Sequence, residues 1–228
     1  MTEEPRGPGE PAAPSPRLLA LGLGLAQAAF ALTFRGPRPR FWQRMTMTGL
    51  TLGSLAVATS PDARKVRIGP REVALGLASA ATLYATFQAG DRFARRFVPG
   101  GDRQISEIYG LRRLRPQGEI AVRLGTIIGP AEELFWRGFV QRGFAARLGR
   151  WPGAAVGAAS YAGVHVVTGN FTLFGAAGIA GAHWSALRAA GMPMGALIVS
   201  HVAWDIWIFL VQPTRGDPAV DAQGPAPA

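Results

Sequence analysis

The sequence contains no cysteine. That excludes disulfides, thiolate nucleophiles and cysteine-ligated zinc or iron–sulfur centres. It leaves the compartment open, because a helical bundle needs no covalent staples. Charge is also scarce: 17% of the 228 residues are charged, against 48% hydrophobic. That balance argues against an ordinary soluble domain. Lysine is almost missing, since all of the 24 Lys and Arg residues except Lys65 are arginine. With the abundant Ala, Gly and Pro, this reads as GC-rich codon usage and carries no functional weight. A net charge of +10 would suit nucleic acid. The basic residues, however, lie mainly in short gaps between apolar runs, where membrane proteins keep positive charge. Nucleic acid is therefore not expected as a partner.

What the chain does have is a series of apolar runs, at 18–34, 45–60, 73–89, 121–140, 153–167, 171–187 and 194–211. Crossing a hydrocarbon core takes about 20 helical residues, with a lower limit of about 17. Most runs meet that marginally, and 45–60 is the weakest. The expected fold is all-α: a polytopic transmembrane bundle of about six to eight membrane helices around an intramembrane polar cavity. The first run has no convincing small-residue cleavage site after it, so it reads as an uncleaved span rather than a signal peptide. Residues 1–16 and 212–228 are Pro-rich and polar, and read as disordered tails. Between them, 17–117 is expected to supply N-terminal transmembrane and amphipathic helices, and 118–211 the functional core.

The gaps give partial topology. Gaps 35–44 and 61–72 each carry four basic residues and 91–118 carries seven, so consecutive gaps cannot all be cytoplasmic. Gap 168–171 has none and is the expected outer loop, which puts 147–153 on the cytoplasmic side. In 101–118, Ile105, Ile108, Leu111 and Leu114 recur at helical spacing with arginines between them. That segment is either an amphipathic helix on the membrane surface or an ordinary connecting helix. No long-period repeat is present.

Ionisable groups within the C-terminal runs are few: Arg123, Glu132, Glu133, Arg137, His165, His183, His201 and Asp205. Each costs at least ~2.5–3.5 kcal/mol at bilayer depth, so each is a functional candidate. Glu133 and Arg137 are four apart and can pair on one helix face. Glu132 is rotated about 100° away and lacks that partner. Tyr161 and His165 are again four apart, as are His201 and Asp205. Three helices thus offer one polar face each. The plain alternative for the first is a helix start, with Pro130 in the first turn and the acids at the positive end of the macrodipole.

Glu, His, His and Asp, without Cys or a serine nucleophile elbow, suggest activation of water. A carboxylate in apolar surroundings makes a better general base than one in water. One histidine could share its proton or hold the water, and a second could stabilise an oxyanion. That constellation hydrolyses an amide. Glu132, His165 and His201 could instead hold zinc with one open position, although no HExxH is present.

Glu132-Glu133-x-x-x-Arg137, Tyr161-x-x-x-His165 and His201-x-x-x-Asp205, in that order on separate apolar helices, resemble the three motifs of the CPBP family. These are intramembrane proteases related to the CAAX prenyl endopeptidases and to bacteriocin-processing and immunity proteins. The resemblance covers about 118–211. It implies an intramembrane endopeptidase of the bacterial plasma membrane, acting on a membrane-associated and possibly prenylated peptide or protein. Glu132 matches the catalytic glutamate, His165 its partner in activating water, and His201 the oxyanion-side histidine. Glu133 and Arg137 take a pairing and orienting role, and no cofactor is required. Two departures stand out. Asp205 occupies a position where Asn is common, which leaves its role open, and Tyr161 replaces the usual Phe. His183 matches no motif position and reads as a packing or rim histidine. Competing readings are a non-catalytic immunity or scaffold protein on the same fold, a zinc-dependent version of the protease, and a small transporter or proton relay. The last would place ionisable residues across membrane depth, with a pseudo-repeat, and neither is present.

Overall fold

The computed structural model describes residues 13–212. Among the described residues every regular element is helical. Helix α1 (Pro16–Arg35) opens on a capped turn, where the Ser15 hydroxyl accepts from the Leu18 N–H and Pro16 fixes the first helical φ. Pro14 is tied down too, its carbonyl accepting from Arg147. Order thus begins before residue 17. Residues 1–12 and 213–228 of the two expected tails lie outside the described residues. Next come α2 (Phe41–Thr59), α3 (Pro70–Phe97) and α4 (Gly101–Tyr109). The Glu72 carboxylate caps α3 by accepting from the Gly69 N–H. A continuous helix, α5, runs over 117–148, interrupted by π turns at Leu124–Ile128 and Leu134–Gln141. The chain reverses at Gly149, whose φ of 88° suits glycine. It continues as α6 (Arg150–Val164), α7 (Phe171–Ala189) and α8 (Met194–Val211).

Side-chain bonds between loops show which helix ends meet. At one end Arg35 donates to the Val167 carbonyl, Arg38 to that of Glu107 and Trp42 to that of Leu111. There Gln104 also accepts from Thr172. At the other end Arg147 reaches Pro14 and Arg142 reaches Ser60. The uncharged gap 168–171 therefore lies beside the Arg-rich gaps 35–44 and 101–118. Its lack of charge does not set it apart, because the bundle, not the single gap, decides which loops share an end.

Segment 101–118 forms α4 and a 3₁₀ turn over Gly110–Leu114. Its apolar face looks inward: Ile105 is buried, and Ile108 and Tyr109 line an internal cavity. The aromatic side chains of α5 form the centre of the core. Phe135, Trp136 and Phe139 are fully buried, with Phe30 of α1 and Leu52 of α2 in the same cluster. Two helices, α1 and α8, are long and apolar enough to cross a membrane. The other helices do not combine that length with that apolarity. Large apolar side chains stand on the outer surface, among them Leu21, Leu32, Leu77 and Trp151.

Candidate active site

The expected alternative of a helix start at Pro130 does not hold, since Gly129–Glu133 sits in mid-helix. Proline there lacks an N–H, and its ring crowds the carbonyl four residues back. The helix widens to π turns on both sides, a usual response to such a residue. One α turn remains between them, and it carries Glu132 and Glu133. Neither carboxylate therefore sits at a helix terminus.

The two carboxylates meet different surroundings. Glu133 is fully buried, and its Oε1 accepts from Arg137 Nη1 at 3.0 Å and from His201 Nδ1 at 2.7 Å. Arg137 also donates to the Gly181 carbonyl at 3.3 Å and lies over the Tyr161 and Trp184 rings. The pairing expected from the four-residue spacing is present. Glu132 points elsewhere, and its Oε2 accepts from the Tyr161 hydroxyl at 3.0 Å. No arginine or lysine among the described residues pairs with it.

His165 is presented by the end of α6, where the helix tightens into a 3₁₀ turn. Its Nδ1 lies 2.9 Å from the Tyr161 carbonyl. A carbonyl only accepts, so Nδ1 carries the hydrogen. In the neutral ring, Nε2 is then left to accept. Phe30 packs edge-on against the ring, at 5.1 Å between centroids. His201 on α8 is held at both nitrogens: Nδ1 by Glu133, and Nε2 by Asp205 at 3.5 Å, a long contact. Trp184 stacks on its face at 4.0 Å and 17°.

Glu132, Tyr161, His165, His201 and Asp205 line one cavity of about 450 Å³. The rest of its wall is mainly apolar, with Phe34, Trp42, Phe87, Ile105, Phe171 and Ile208 contributed by six different helices. No direct hydrogen bond joins Glu132 to His165 among the described residues, so only a bridging water would couple them. Glu133 and Arg137 of the buried ion pair do not line the cavity, and two further candidates lie apart from it. Arg123 binds Glu119 and Thr46, and His183 is half-buried with its Nε2 on Ser79, as expected of a packing residue. The donors of the zinc alternative, Glu132, His165 and His201, all line the cavity but are not gathered around one point. No three His, Asp or Glu side chains among the described residues are grouped to hold a metal ion, and both nitrogens of His201 already face carboxylates.

Sequence reasoning missed three features. Spacing puts Tyr161 on a polar helix face but does not reveal that its hydroxyl binds Glu132. Glu133 was given one partner and has two. Trp184 was not singled out. Each is a contact between helices distant in the chain, with no local spacing to reveal it.

The site is thus a carboxylate and two histidines, brought by three separate helices to the polar end of an apolar chamber. The sequence profile of the family described as type II CAAX prenyl endopeptidase Rce1-like matches residues 119–207. That segment, less than half of the chain, is similar to the CAAX protease family. Helices α1 to α4 lie outside the match. No curated protein and no solved structure shows significant similarity to the chain.

Proposed function

We propose that the protein is an intramembrane endopeptidase that hydrolyses a peptide bond of a membrane-associated protein or peptide, prenylated or not. The observation that carries this reading is the division of labour between adjacent glutamates. Arg137 and His201 take up Glu133, while Glu132 faces the cavity shared with His165 and His201. Water held between Glu132 and His165 Nε2 gives its proton to Glu132 and attacks the carbonyl carbon. The Tyr161 hydroxyl occupies Oε2 of Glu132, leaving Oε1 for the water. His201 Nε2–H faces the developing oxyanion; its long contact to Asp205 is readily exchanged for a better acceptor. Asp205 holds that donor in place until substrate arrives. The proton on Glu132 then passes to the leaving amine as the C–N bond breaks, giving one carboxylate and one amine. This cycle uses no metal.

The same reading places the chain in a bilayer, as a bundle of six to eight membrane helices in the bacterial plasma membrane. Two apolar helices of spanning length and the apolar outer side chains support it. The test is cleavage of quenched fluorescent peptides, some farnesylated, by detergent-purified protein and by Glu132→Ala, each with and without a zinc chelator. Activity lost in the variant and kept with chelator supports a glutamate protease. Loss with chelator would return the zinc reading. A folded wild-type protein that cuts none of the peptides but binds one would favour a non-catalytic scaffold.

A further inference from the structure

A polar chain outside the catalytic cavity ends on His201. His201 is fixed at its edge by Glu133 and Asp205, but bonds at the two nitrogens leave the ring free to tilt about the line joining them. The Trp184 indole blocks that tilt, lying parallel to the imidazole at 4.0 Å. The indole is pinned in turn: its Nε1–H donates to the Ser200 hydroxyl at 3.0 Å. Ser200, fully buried, meets the Ser79 hydroxyl of α3 at 2.8 Å, and Ser79 meets His183 Nε2 at 2.9 Å. Ser79 can reach this far because α3 and α8 touch at Gly76, one turn earlier. A Cβ there would stand 2.6 Å from Val199 and 2.7 Å from the Ala196 carbonyl.

Buried hydroxyls and indoles need partners in any core. Simple satisfaction would be met by any nearby carbonyl, however. Here the bonds run from α3 through α8 and α7 to one catalytic-site ring, and every link is buried or half-buried. We propose that Trp184, Ser200 and Ser79 are positioning residues, a clamp that holds the His201 imidazole in the orientation its oxyanion role requires. The clamp rests on the endopeptidase reading for its purpose but not for its physical test. It also draws a residue of the unmatched N-terminal half, Ser79, into the working of the site.

The experiment combines kinetics with imidazole ¹⁵N spectra of the full chain in detergent. With only three histidines, His165, His183 and His201 can be assigned by single substitutions. Ser200→Ala, Ser79→Ala and Trp184→Phe remove one link each, and Trp184→Phe keeps an aromatic ring on the imidazole. The expected result is a kcat lower by about tenfold for Ser200→Ala and Trp184→Phe, with KM within about twofold, as misorientation of one group implies. The double variant should be no slower than either single, because both break the same bond. His201 resonances should shift or broaden in every variant while those of His165 stay in place. Unchanged His201 resonances with a lowered thermal midpoint would overturn the clamp and leave a packing network. Additive losses in kcat would overturn it as well. If wild-type protein cuts no peptide, the endopeptidase reading fails, and the His201 spectra alone decide the clamp. Should Trp184→Phe not fold, the two serine variants, which remove only hydroxyls, carry the test.

Discussion

At the scale of single residues, the protein separates two neighbouring carboxylates by what each can reach. Glu133 belongs to a buried ion pair with Arg137, and Glu132 to the cavity. Their substitutions should therefore differ in kind. Glu132→Gln should lower kcat by about 10²–10⁴-fold, the usual range for a lost general base. Its thermal midpoint should stay near that of wild type. Glu133→Gln leaves the Arg137 guanidinium buried without its counter-charge, at a cost of about 3–5 kcal/mol. It should show mainly as a lower unfolding midpoint by calorimetry, with activity lost alongside. Tyr161→Phe removes the donor to Glu132 Oε2. A hydrogen bond to a charged group is worth about 1.5–3 kcal/mol, so kcat should fall roughly tenfold or more with KM unchanged. A kcat equal to wild type would mean the hydroxyl is dispensable.

At the scale of elements, α5 is the informative one. Pro130 sits in its interior, in the α turn that carries both glutamates and that π turns flank on either side. Pro130→Ala restores an N–H and removes the ring clash, so the helix can return to an α register. The variant should be as stable as wild type or more so in thermal unfolding, and slower in peptide cleavage, because Glu132 is re-aimed. Lower stability together with full activity would show that the proline is not what sets the register. Close helix contact is a second element-scale feature. At Gly76 a methyl group has no room against Val199 and the Ala196 carbonyl. Gly76→Ala should cost about 1–3 kcal/mol, as overpacking does, and should push α3 away from α8.

At the scale of the whole molecule, the matched segment 119–207 packs against helices that lie outside it. Phe30 and Phe34 of α1 pack on His165, and α3 and α4 close the far wall of the cavity. Residues 117–212 expressed alone should be inactive. Co-expression with 13–116 as a separate piece should restore cleavage, because the break falls in a loop between helices. Activity of the C-terminal piece alone would show that the N-terminal helices only carry the site. The apolar outer surface gives a separate expectation. The protein should stay with the membrane fraction through high salt and alkaline carbonate and leave it only with detergent.

The sequence by itself determined the helical class, the three polar helix faces and the Glu133–Arg137 pair, because all of these rest on contacts within one helix. A period of 3.6 residues and a spacing of four make such contacts readable in one dimension. It also separated Glu132 from its neighbour, by rotation about the same axis. Only the tertiary structure decided what Glu132 faces, that Glu133 also holds His201, and that Trp184 covers His201. These contacts join residues 29, 68 and 17 positions apart, and helical periodicity says nothing about which helices meet. The reading of Pro130 failed for a related reason. Local preference puts proline at a helix start, but a packed bundle can hold it in mid-helix and let π turns absorb the missing hydrogen bond. The grouping of loops at each end followed the same rule: charge was legible gap by gap, and the pairing of gaps was not.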